Sequence, residues 1–394
     1  MSGNAQGPDQ FSGANDRAKM CDLLIQHGRV VDPSQQLDAP RDVAFRSGRV
    51  AAIAERIDPR TAMQVLDASG KLVVPGLVDL HVHAFWGVSR WGIDPDAALL
   101  ATGVTTALDV GSAGADTLPG FRRFIVERSD IRLRALINLS SLGMISERVN
   151  EVSDLRYADP ERAAQTVAEN RDLILGVKVR LPNDESDVEV LKLARQAAEA
   201  AAVPLMLDAG SSCSPLPQIL GLLRANDVLT HCYRPARPLM LDDAGKPLPE
   251  LMDARARGVL LDVGHGTASF SFAIARRALS HGLLPDTISS DLHAYSLQGP
   301  VFDLPTTLSK FLHLGLALPH VIARATASPA LWMGLDGEIG TLRPGASGDV
   351  AVLELADGAH ALSDCIGETV QAGHKLITVA VVKDGRLVDL RKAA

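Results

Sequence analysis

Two histidines one residue apart, His81 and His83, follow a short apolar run that is typical of a β-strand. Side chains alternate along a strand, so both imidazoles point to the same side, about 7 Å apart along the chain. Two imidazoles placed in this way can bind one metal ion. An HxH pair alone is weak evidence, but this pair comes shortly after Val74-Pro75-Gly76 and ends the first of eight predicted strands. We therefore predict that His81 and His83 are metal ligands.

A lysine, Lys178, lies inside the predicted strand GVKVRL and shares one strand face with Arg180. The other face carries only apolar residues. If helices cover the outside of the sheet, only the inner face can hold charge at a strand end, which disfavours a solvent-facing lysine. A lysine crowded near metal ions has a lowered pKa, and its neutral amine can react with carbon dioxide. The resulting carbamate would turn a cation into a bridging, carboxylate-like ligand.

Three further candidate ligands, Asp208, His231 and Asp291, end the fifth, sixth and eighth predicted strands. The steps from Lys178 to each of them in turn are 30, 23 and 60 residues, which fit one, one and two βα units. Asp291 is the expected general base, because a carboxylate beside a metal's water can accept its proton and return it to the leaving group. The structural alternatives are a helix N-cap for Asp291 and a hydrogen-bonded buried histidine for His231.

Substrate contacts are predicted for His265, Tyr233 and Arg234. His265 stands between two glycines after the seventh strand, where closely approaching backbone could accommodate a carbonyl or a carboxylate. Tyr233 and Arg234 follow the sixth strand and, like His265, have a structural alternative, which is plain packing. The same choice between pocket lining and packing applies to Phe85, Trp86 and His293.

The elements that must position these residues are short apolar strands alternating with helices between about Leu72 and Leu335. Eight such units over roughly 260 residues predict an α/β fold, a (β/α)₈ TIM barrel. The flanking segments carry X-Gly pairs between apolar runs, at His27-Gly28, Ser47-Gly48 and Asp384-Gly385, which predict hairpins. We expect a disordered tail at 1–18, a small β-sandwich domain from 19–72 and 338–394, and the barrel at 73–337.

Composition excludes several classes of protein. The 394 residues are 46% hydrophobic and 22% charged, which excludes a disordered chain. A net charge of −8 without a long basic run argues against nucleic-acid and membrane partners. No apolar run is long enough for a membrane span, and four scattered cysteines do not make a disulfide framework. These features favour a cytoplasmic enzyme with a small-molecule substrate, and we expect a homo-oligomer.

Several phrases of the chain resemble the amidohydrolase superfamily of metal-dependent hydrolases. They are VVPGLVDLHVHAFWG, ATGVTTALDVGS, GVKVR, DVLTHCYR, DVGHGTASFSF and PDTISSDLHAYS. Within the superfamily the chain looks most similar to the dihydroorotase-like deacetylase group. GEIGTLRPGASGDVAVLEL is similar to the strand with which such proteins return to their β-sandwich, and the resemblance runs from about Asp22 to Asp389.

The resemblance implies a binuclear centre, with Zn²⁺ as the expected ion. His81, His83 and Asp291 would hold the more buried ion, and a carbamylated Lys178 would bridge it to the second. His231 and the residue that ends the fifth strand would hold the second ion, and His265 would help to bind substrate. The fifth strand departs from the family pattern, because PLMLD ends in Asp208 where a histidine is usual. Aspartate can ligate zinc through oxygen, or it is too short to reach and the second site is weak or missing.

The predicted function is metal-assisted hydrolysis of an amide or ester bond in a small substrate, with Asp291 as general acid and base. An N-acyl amino acid or an O-acyl hydroxy acid is the expected substrate class, since Arg234, Arg180 or His265 could pair with an acidic group. One alternative is a cyclic-amide hydrolase of the dihydroorotase or hydantoinase type. The other is a metal-poor scaffold relative without catalytic activity.

Overall fold

The chain folds into two hydrogen-bonded sheets, one built from both chain ends and one from the middle of the chain. The computed structural model describes residues 21–146, 148–210, 212–236 and 240–390. The predicted tail at 1–18 lies outside the described residues. The arrangement is the mixed α/β fold that the sequence predicts.

Fifteen strands are formed by the described residues. In chain order they are β1 (Cys21–Asp32), β2 (Leu37–Arg46), β3 (Arg49–Ala54), β4 (Ala62–Asp67), β5 (Leu72–Pro75), β6 (Leu77–Val82), β7 (Val104–Val110), β8 (Arg132–Asn138), β9 (Ile174–Arg180), β10 (Leu205–Asp208), β11 (Val228–Leu229), β12 (Leu260–Leu261), β13 (Val350–Ser363), β14 (Thr369–Lys383) and β15 (Arg386–Leu387).

The same residues form ten α-helices, most of which lie between strands of the middle segment. They are α1 (Pro95–Ala98), α2 (Leu118–Phe124), α3 (Pro160–Glu169), α4 (Asp187–Ala201), α5 (Leu216–Leu220), α6 (Pro249–Ala256), α7 (Phe272–Ser280), α8 (Leu304–His313), α9 (Leu318–Ala323) and α10 (Ala327–Trp332). α3 begins as an aspartate followed by proline predicts, because the Asp159 carboxylate accepts a hydrogen bond from the Arg162 amide and Pro160 is the first helical residue. None of the described helices has the length and apolar character needed to cross a membrane.

The chain-end sheet has the strand order β15-β14-β13-β5-β1-β2-β3, with β4 also paired to β1. Strands from the two termini meet where β5 pairs with β13 in antiparallel register, Val73 opposite Val352. This confirms a separate sheet from both chain ends. The hairpin turns at Ser47-Gly48 and Asp384-Gly385 are also confirmed, and all four residues have positive φ.

The hairpin predicted at His27-Gly28 is wrong. β1 runs through these residues and pairs with β2 on both sides of them, with a bulge between Ile25 and Gly28. His27 has a φ of 63°, and a Cβ at position 28 would collide with the Val73 side chain. The X-Gly pair therefore serves a bulge and a close strand approach, two other uses of the same local chemistry.

The middle sheet is a curled parallel sheet of seven strands in the order β12-β11-β10-β9-β8-β7-β6. The predicted eighth strand, Thr287–Asp291, is not a continuous strand in the structure. Its segment makes isolated parallel bridges, from Thr287 to Asp262 next to β12 and from Leu292 to Val82 in β6. This segment therefore lies between the two edge strands and brings Asp291 to the end of β6, beside His81 and His83.

The predicted first strand VVPGLVDLHVH is divided between the two sheets. β5 belongs to the chain-end sheet and β6 to the middle sheet, and Gly76 separates them. A Cβ on Gly76 would collide with the Thr105 side chain, so only glycine allows this close crossing. The crossing fixes where β6 begins and therefore where His81 and His83 lie.

Candidate active site

His81 in β6, His83 directly after it and Asp291 of the segment 287–292 converge in a buried cluster. The candidate ligand atoms of His81, His83 and Asp291 all lie within 4.8 Å of one another. The Nε2 atoms of both histidines lie 3.4 Å from Oδ1 of Asp291. Two imidazole nitrogens and one carboxylate oxygen at this spacing form a donor set suitable for a divalent ion.

The other ring nitrogens of these histidines are held by the protein. Nδ1 of His81 lies 3.0 Å from the Thr230 hydroxyl and 3.4 Å from Oδ2 of Asp262, and Nδ1 of His83 lies 3.0 Å from the Ser112 hydroxyl. Such partners orient an imidazole and leave Nε2 free to ligate. The donor set of the cluster is therefore oriented before any ion binds.

Asp262 is a residue of this site that the sequence analysis did not identify. It is fully buried after β12 and accepts hydrogen bonds from Thr230, Thr287 and Ser289. The available signal was its place at the end of the seventh predicted strand. Its carboxylate lies next to Nδ1 of His81, on the side of the ring away from Asp291, and helps to orient that imidazole.

We expect Asp262→Asn to weaken the binding of a divalent ion, with Zn²⁺ as the probe, about 10- to 100-fold, the usual effect of losing a partner that orients a histidine ligand. Zinc affinity is measured by competition with a chromophoric chelator. Asp227→Asn is the matched control, because Asp227 is also a buried carboxylate but precedes β11, at the opposite strand end. Equal zinc affinities for the Asp262 variant and the unmodified protein would contradict the assignment.

A second group of candidate ligands lies beside the first. Oδ2 of Asp208 is 3.5 Å from Nε2 of His231, whose ring centre is 5.1 Å from that of His81. Nδ1 of His231 lies 2.7 Å from the Gly264 carbonyl oxygen, which acts as its acceptor. Lys178 of β9 is 3% exposed. A Cβ on Gly111 would come within 2.9 Å of the Cβ of Lys178. The glycine therefore makes room for the lysine.

Burial and neighbouring charges shift the pKa values of these groups in different directions. Burial lowers the pKa of Lys178, which favours the neutral amine that carbamate formation needs. Burial alone would raise the pKa of Asp208, but His231, Lys178 and Arg234 outweigh it and hold that pKa well below its ordinary value. The same opposition applies to Asp291, where the nearby histidines prevail and lower the pKa. Both carboxylates are therefore ionised.

Known proteins show the same overall structure and related sequences. A deacetylase of Agrobacterium fabrum is 36% identical over 327 residues, which are 82% of this chain and 80% of that protein. A solved structure of an adenine deaminase matches with a TM-score of 0.87 at 30% identity and covers 94% of this chain and 100% of that one. A dihydroorotase structure matches with a TM-score of 0.84 at 32% identity over 93% and 98% of the two chains. No family model matches the chain.

The chain belongs to the amidohydrolase superfamily. It is a hydrolytic enzyme of the amidohydrolase type, as the sequence predicts. The family generally uses divalent metals, which agrees with the cluster of two histidines and one aspartate.

Two residues of this amidohydrolase that were predicted to contact substrate have their polar atoms occupied by protein. His265 is fully buried, with Nδ1 2.8 Å from the Gly266 carbonyl oxygen and Nε2 2.6 Å from Nζ of Lys310. The Tyr233 hydroxyl donates to the Leu283 carbonyl oxygen at 2.6 Å, and its ring is fully buried. Both side chains therefore have protein partners that favour the packing alternative, and their contact with substrate stays a prediction.

Arg234 does reach the site of the amidohydrolase. Its Nη1 donates to Oδ1 of Asp208 at 3.2 Å, and the Gly210 amide donates to the same oxygen at 2.7 Å. Oδ2 is then the oxygen of Asp208 that faces His231. The ion pair balances part of the charge at the fifth strand end, where the usual histidine would be neutral.

A second arginine of the amidohydrolase, Arg180, lies two residues beyond Lys178 in β9. Its Nη2 is 2.8 Å from Oε1 of Glu151, and its guanidinium group lies 5.6 Å from the centre of the Trp91 ring. Its side chain is 28% exposed, so it is held on two sides while still open to solvent. Glu151 and Trp91 were not identified from the sequence, because both lie in loops without a readable pattern.

The remaining candidates for pocket lining fall into two groups. Phe85 is buried and packs edge to face against Phe121, which is the packing alternative. His293 is buried with its ring 6.3 Å from His83, and Trp86 is 58% exposed. Of the three, only His293 lies next to the cluster of His81, His83 and Asp291, as its ring distance to His83 shows.

Proposed function

We propose that this amidohydrolase is a metal-dependent deacetylase that removes an acyl group from a small acidic substrate, an N-acyl amino acid or an O-acyl hydroxy acid. The observation that carries the proposal is the convergence of His81, His83 and Asp291 with their ligand atoms within 4.8 Å. The deacetylase of Agrobacterium fabrum, similar over most of both chains, supports the reaction class.

His81, His83 and Asp291 would hold one divalent ion, and a carbamylated Lys178 with Asp208 and His231 would hold a second. Oriented imidazoles, ionised carboxylates and a buried lysine of lowered pKa fit this assignment. The 3.5 Å separation of Asp208 and His231 supports retained ligation by the aspartate. Zn²⁺ suits such a mixed nitrogen and oxygen donor set. A divalent ion bound there lowers the pKa of its water and polarises the scissile carbonyl.

Asp291 performs the proton transfers in this proposal. Its carboxylate is ionised and therefore accepts a proton from the attacking water. The protonated carboxyl group then donates the proton to the departing nitrogen or oxygen, which returns Asp291 to its starting state. Burial of the cluster excludes bulk water and strengthens the electrostatic contacts on which these steps depend.

The two arginines support an acidic substrate. Arg180 is held by Glu151 and Trp91 and remains partly exposed, while Arg234 is held by Asp208. A guanidinium group fixed on one side can still donate two parallel hydrogen bonds to a carboxylate on its other side. We assign Arg180 the larger share of substrate binding, because more of its side chain is open to solvent.

The finer features of the fold belong to the same proposal. The bridges of Thr287 and Leu292 to the two edge strands support closure of the seven-stranded sheet into a (β/α)₈ barrel. A β-sandwich arrangement of the chain-end sheet, with the boundaries given above, stays a prediction. So do the cytoplasmic location, the homo-oligomer, and the lack of nucleic-acid and membrane partners.

Metal content per chain tests the proposal directly, on protein produced with zinc and bicarbonate and then desalted. Two ions per chain are expected, with Asp208 in the place of the usual histidine. One ion would restrict the mechanism to the site of His81, His83 and Asp291. A value near zero would contradict the metal-dependent mechanism.

A substrate panel separates the two candidate reactions. N-acetyl amino acids and O-acetyl hydroxy acids are compared with dihydroorotate and hydantoins on the same metal-loaded protein. We expect hydrolysis of the acyclic compounds. The similarity to a dihydroorotase structure favours the cyclic amides as the second candidate, and faster turnover of these rings would replace the deacetylase assignment.

A further inference from the structure

A buried lysine that has no part in the mechanism above lies behind the active site. Lys310 of α8 is fully buried, with Nζ 2.6 Å from Nε2 of His265 and 2.8 Å from the Pro300 carbonyl oxygen. Lysine is almost never fully buried without partners, and an apolar side chain would fill the same space at lower free-energy cost. The amine therefore requires an explanation beyond packing.

His265 connects this lysine to the loop Gly264–Gly266. Its Nδ1 lies 2.8 Å from the Gly266 carbonyl oxygen, which makes Nδ1 the protonated nitrogen and leaves Nε2 as an acceptor for Lys310. The ring also stacks on Phe270, with 4.7 Å between ring centres. His265 is the one member of the loop with a side chain beyond Cα, and Lys310 is the partner from α8 that holds that side chain.

Both glycines of the loop contact candidate catalytic or ligand residues. The Gly264 carbonyl oxygen accepts the hydrogen bond from Nδ1 of His231 at 2.7 Å. Gly266 packs so closely on Oδ2 of Asp291 that a Cβ would collide with it, and its amide donates to the Ser290 carbonyl oxygen at 3.0 Å. A displacement of this loop would therefore reorient His231 and Asp291 together.

The glycines hold an uncommon backbone conformation, with φ of 47° at Gly264 and 50° at Gly266. A loop in which a single residue is flanked by two glycines has little intrinsic rigidity. The anchor at His265 supplies the constraint that the loop itself lacks. Lys310 also donates to the carbonyl oxygen of Pro300, which lies in the chain segment that follows Asp291. The same amine therefore contacts both the loop Gly264–Gly266 and the segment after Asp291.

We propose that Lys310 and His265 form a positioning pair that sets the orientation of Asp291 and His231 for hydrolysis without touching substrate. The proposal rests on the function proposed above for Asp291. Burial lowers the pKa of Lys310 to about 7, so a neutral amine is accessible near neutral pH. Its two hydrogens match the two acceptors, His265 and Pro300.

The decisive variant is Lys310→Met, which keeps the length of the side chain and removes the amine. A buried polar group replaced by an apolar one of similar shape is often neutral or stabilising, so we expect an unchanged or higher melting temperature. We expect kcat to fall about 10- to 100-fold, as for other residues that orient catalytic groups, with KM nearly unchanged. Zinc release to a chelator should become faster, because His231 loses its fixed partner.

Two further variants make the result specific. His265→Gln retains an acceptor for Lys310 and should recover part of the activity that His265→Leu loses. The double variant Lys310→Met with His265→Leu should be no worse than the more impaired single variant, because the two residues act as a unit. Thr306→Val is the matched control, since Thr306 is buried on the same helix and its hydroxyl has no hydrogen-bond partner among the described residues.

The outcomes separate this proposal from the proposed function. Unchanged kcat and zinc release in Lys310→Met would overturn the positioning pair, and so would a raised KM with unchanged kcat, which would indicate direct substrate binding. If Lys310→Met does not fold, His265→Gln decides, and equal activity of the Gln and Leu variants at position 265 would overturn the pair. If the unmodified protein hydrolyses none of the acyl compounds, the deacetylase assignment fails while zinc release still tests the pair.

Discussion

Replacing Asp291 by asparagine is expected to lower kcat about 10²- to 10⁴-fold, the range in which a positioned general acid and base contributes. Asparagine has nearly the same shape, so the neighbouring contacts of Gly266 are kept while the proton acceptor is lost. KM should change far less than kcat, because proton transfer contributes in the transition state and not to substrate binding. The measurement is steady-state kinetics on the substrate found with the panel.

Metal content must be determined on the same Asp291→Asn sample, because Asp291 is both a candidate ligand and the candidate base. A full complement of metal with reduced kcat would assign the loss to proton transfer. Asp154→Asn is the control, since Asp154 pairs with Arg156 in an exposed loop outside the cluster. Activity within a few-fold of the unmodified enzyme in Asp291→Asn would refute its role as general acid and base.

Lys178→Met is expected to lower kcat/KM more than about 100-fold, beyond the effect of losing an outer partner of a ligand. Methionine fits the same buried space but cannot form a carbamate, so the proposed bridge between two ions is lost. Metal content should fall from two ions per chain toward one, since His81, His83 and Asp291 retain the first site. Metal analysis and kinetics on the same preparation check both expectations.

A carbamate on Lys178 also has a direct spectroscopic test. Protein prepared with ¹³C-labelled bicarbonate should show a carbamate carbon signal that is absent from Lys178→Met. Lys192→Met is a suitable control, because Lys192 lies on α4 with a solvent-exposed ion pair to Glu189. Identical metal content and kcat/KM in Lys178→Met and the unmodified enzyme would show that the lysine is not a bridging ligand.

The sequence could predict the residues that form the candidate site because parallel strands end at one edge of a sheet. Each of four residues lies in a strand or within two residues of its end, so alternation and strand order place them with little ambiguity: His81, Lys178, Asp208 and His231. Asp291 follows the same logic, even though its segment makes only isolated bridges. For these residues, local periodicity and the spatial arrangement agree.

The contacts that the sequence could not predict connect residues distant in the chain. Whether a histidine between glycines faces substrate depends on what lies behind it, and Lys310 is 45 positions further along the chain. The pairing of Arg180 with Glu151 likewise depends on a loop conformation that no repeat in the sequence encodes. An X-Gly pair is compatible with both a turn and a bulge, so His27-Gly28 needed the position of Val73 to decide between them.

The pairing of β5 with β13 has a consequence for biosynthesis. β5 ends at Pro75, but its neighbour on that side begins at Val350, so its edge stays unpaired until most of the chain has left the ribosome. An unpaired strand edge is a site for association with other chains, and long-range pairing is slow to form. The nascent chain thus carries an exposed edge directly before β6 and its two histidines. Completion of this enzyme is therefore tied to the arrival of its C-terminal strands, and we expect chains terminated before Val350 to aggregate.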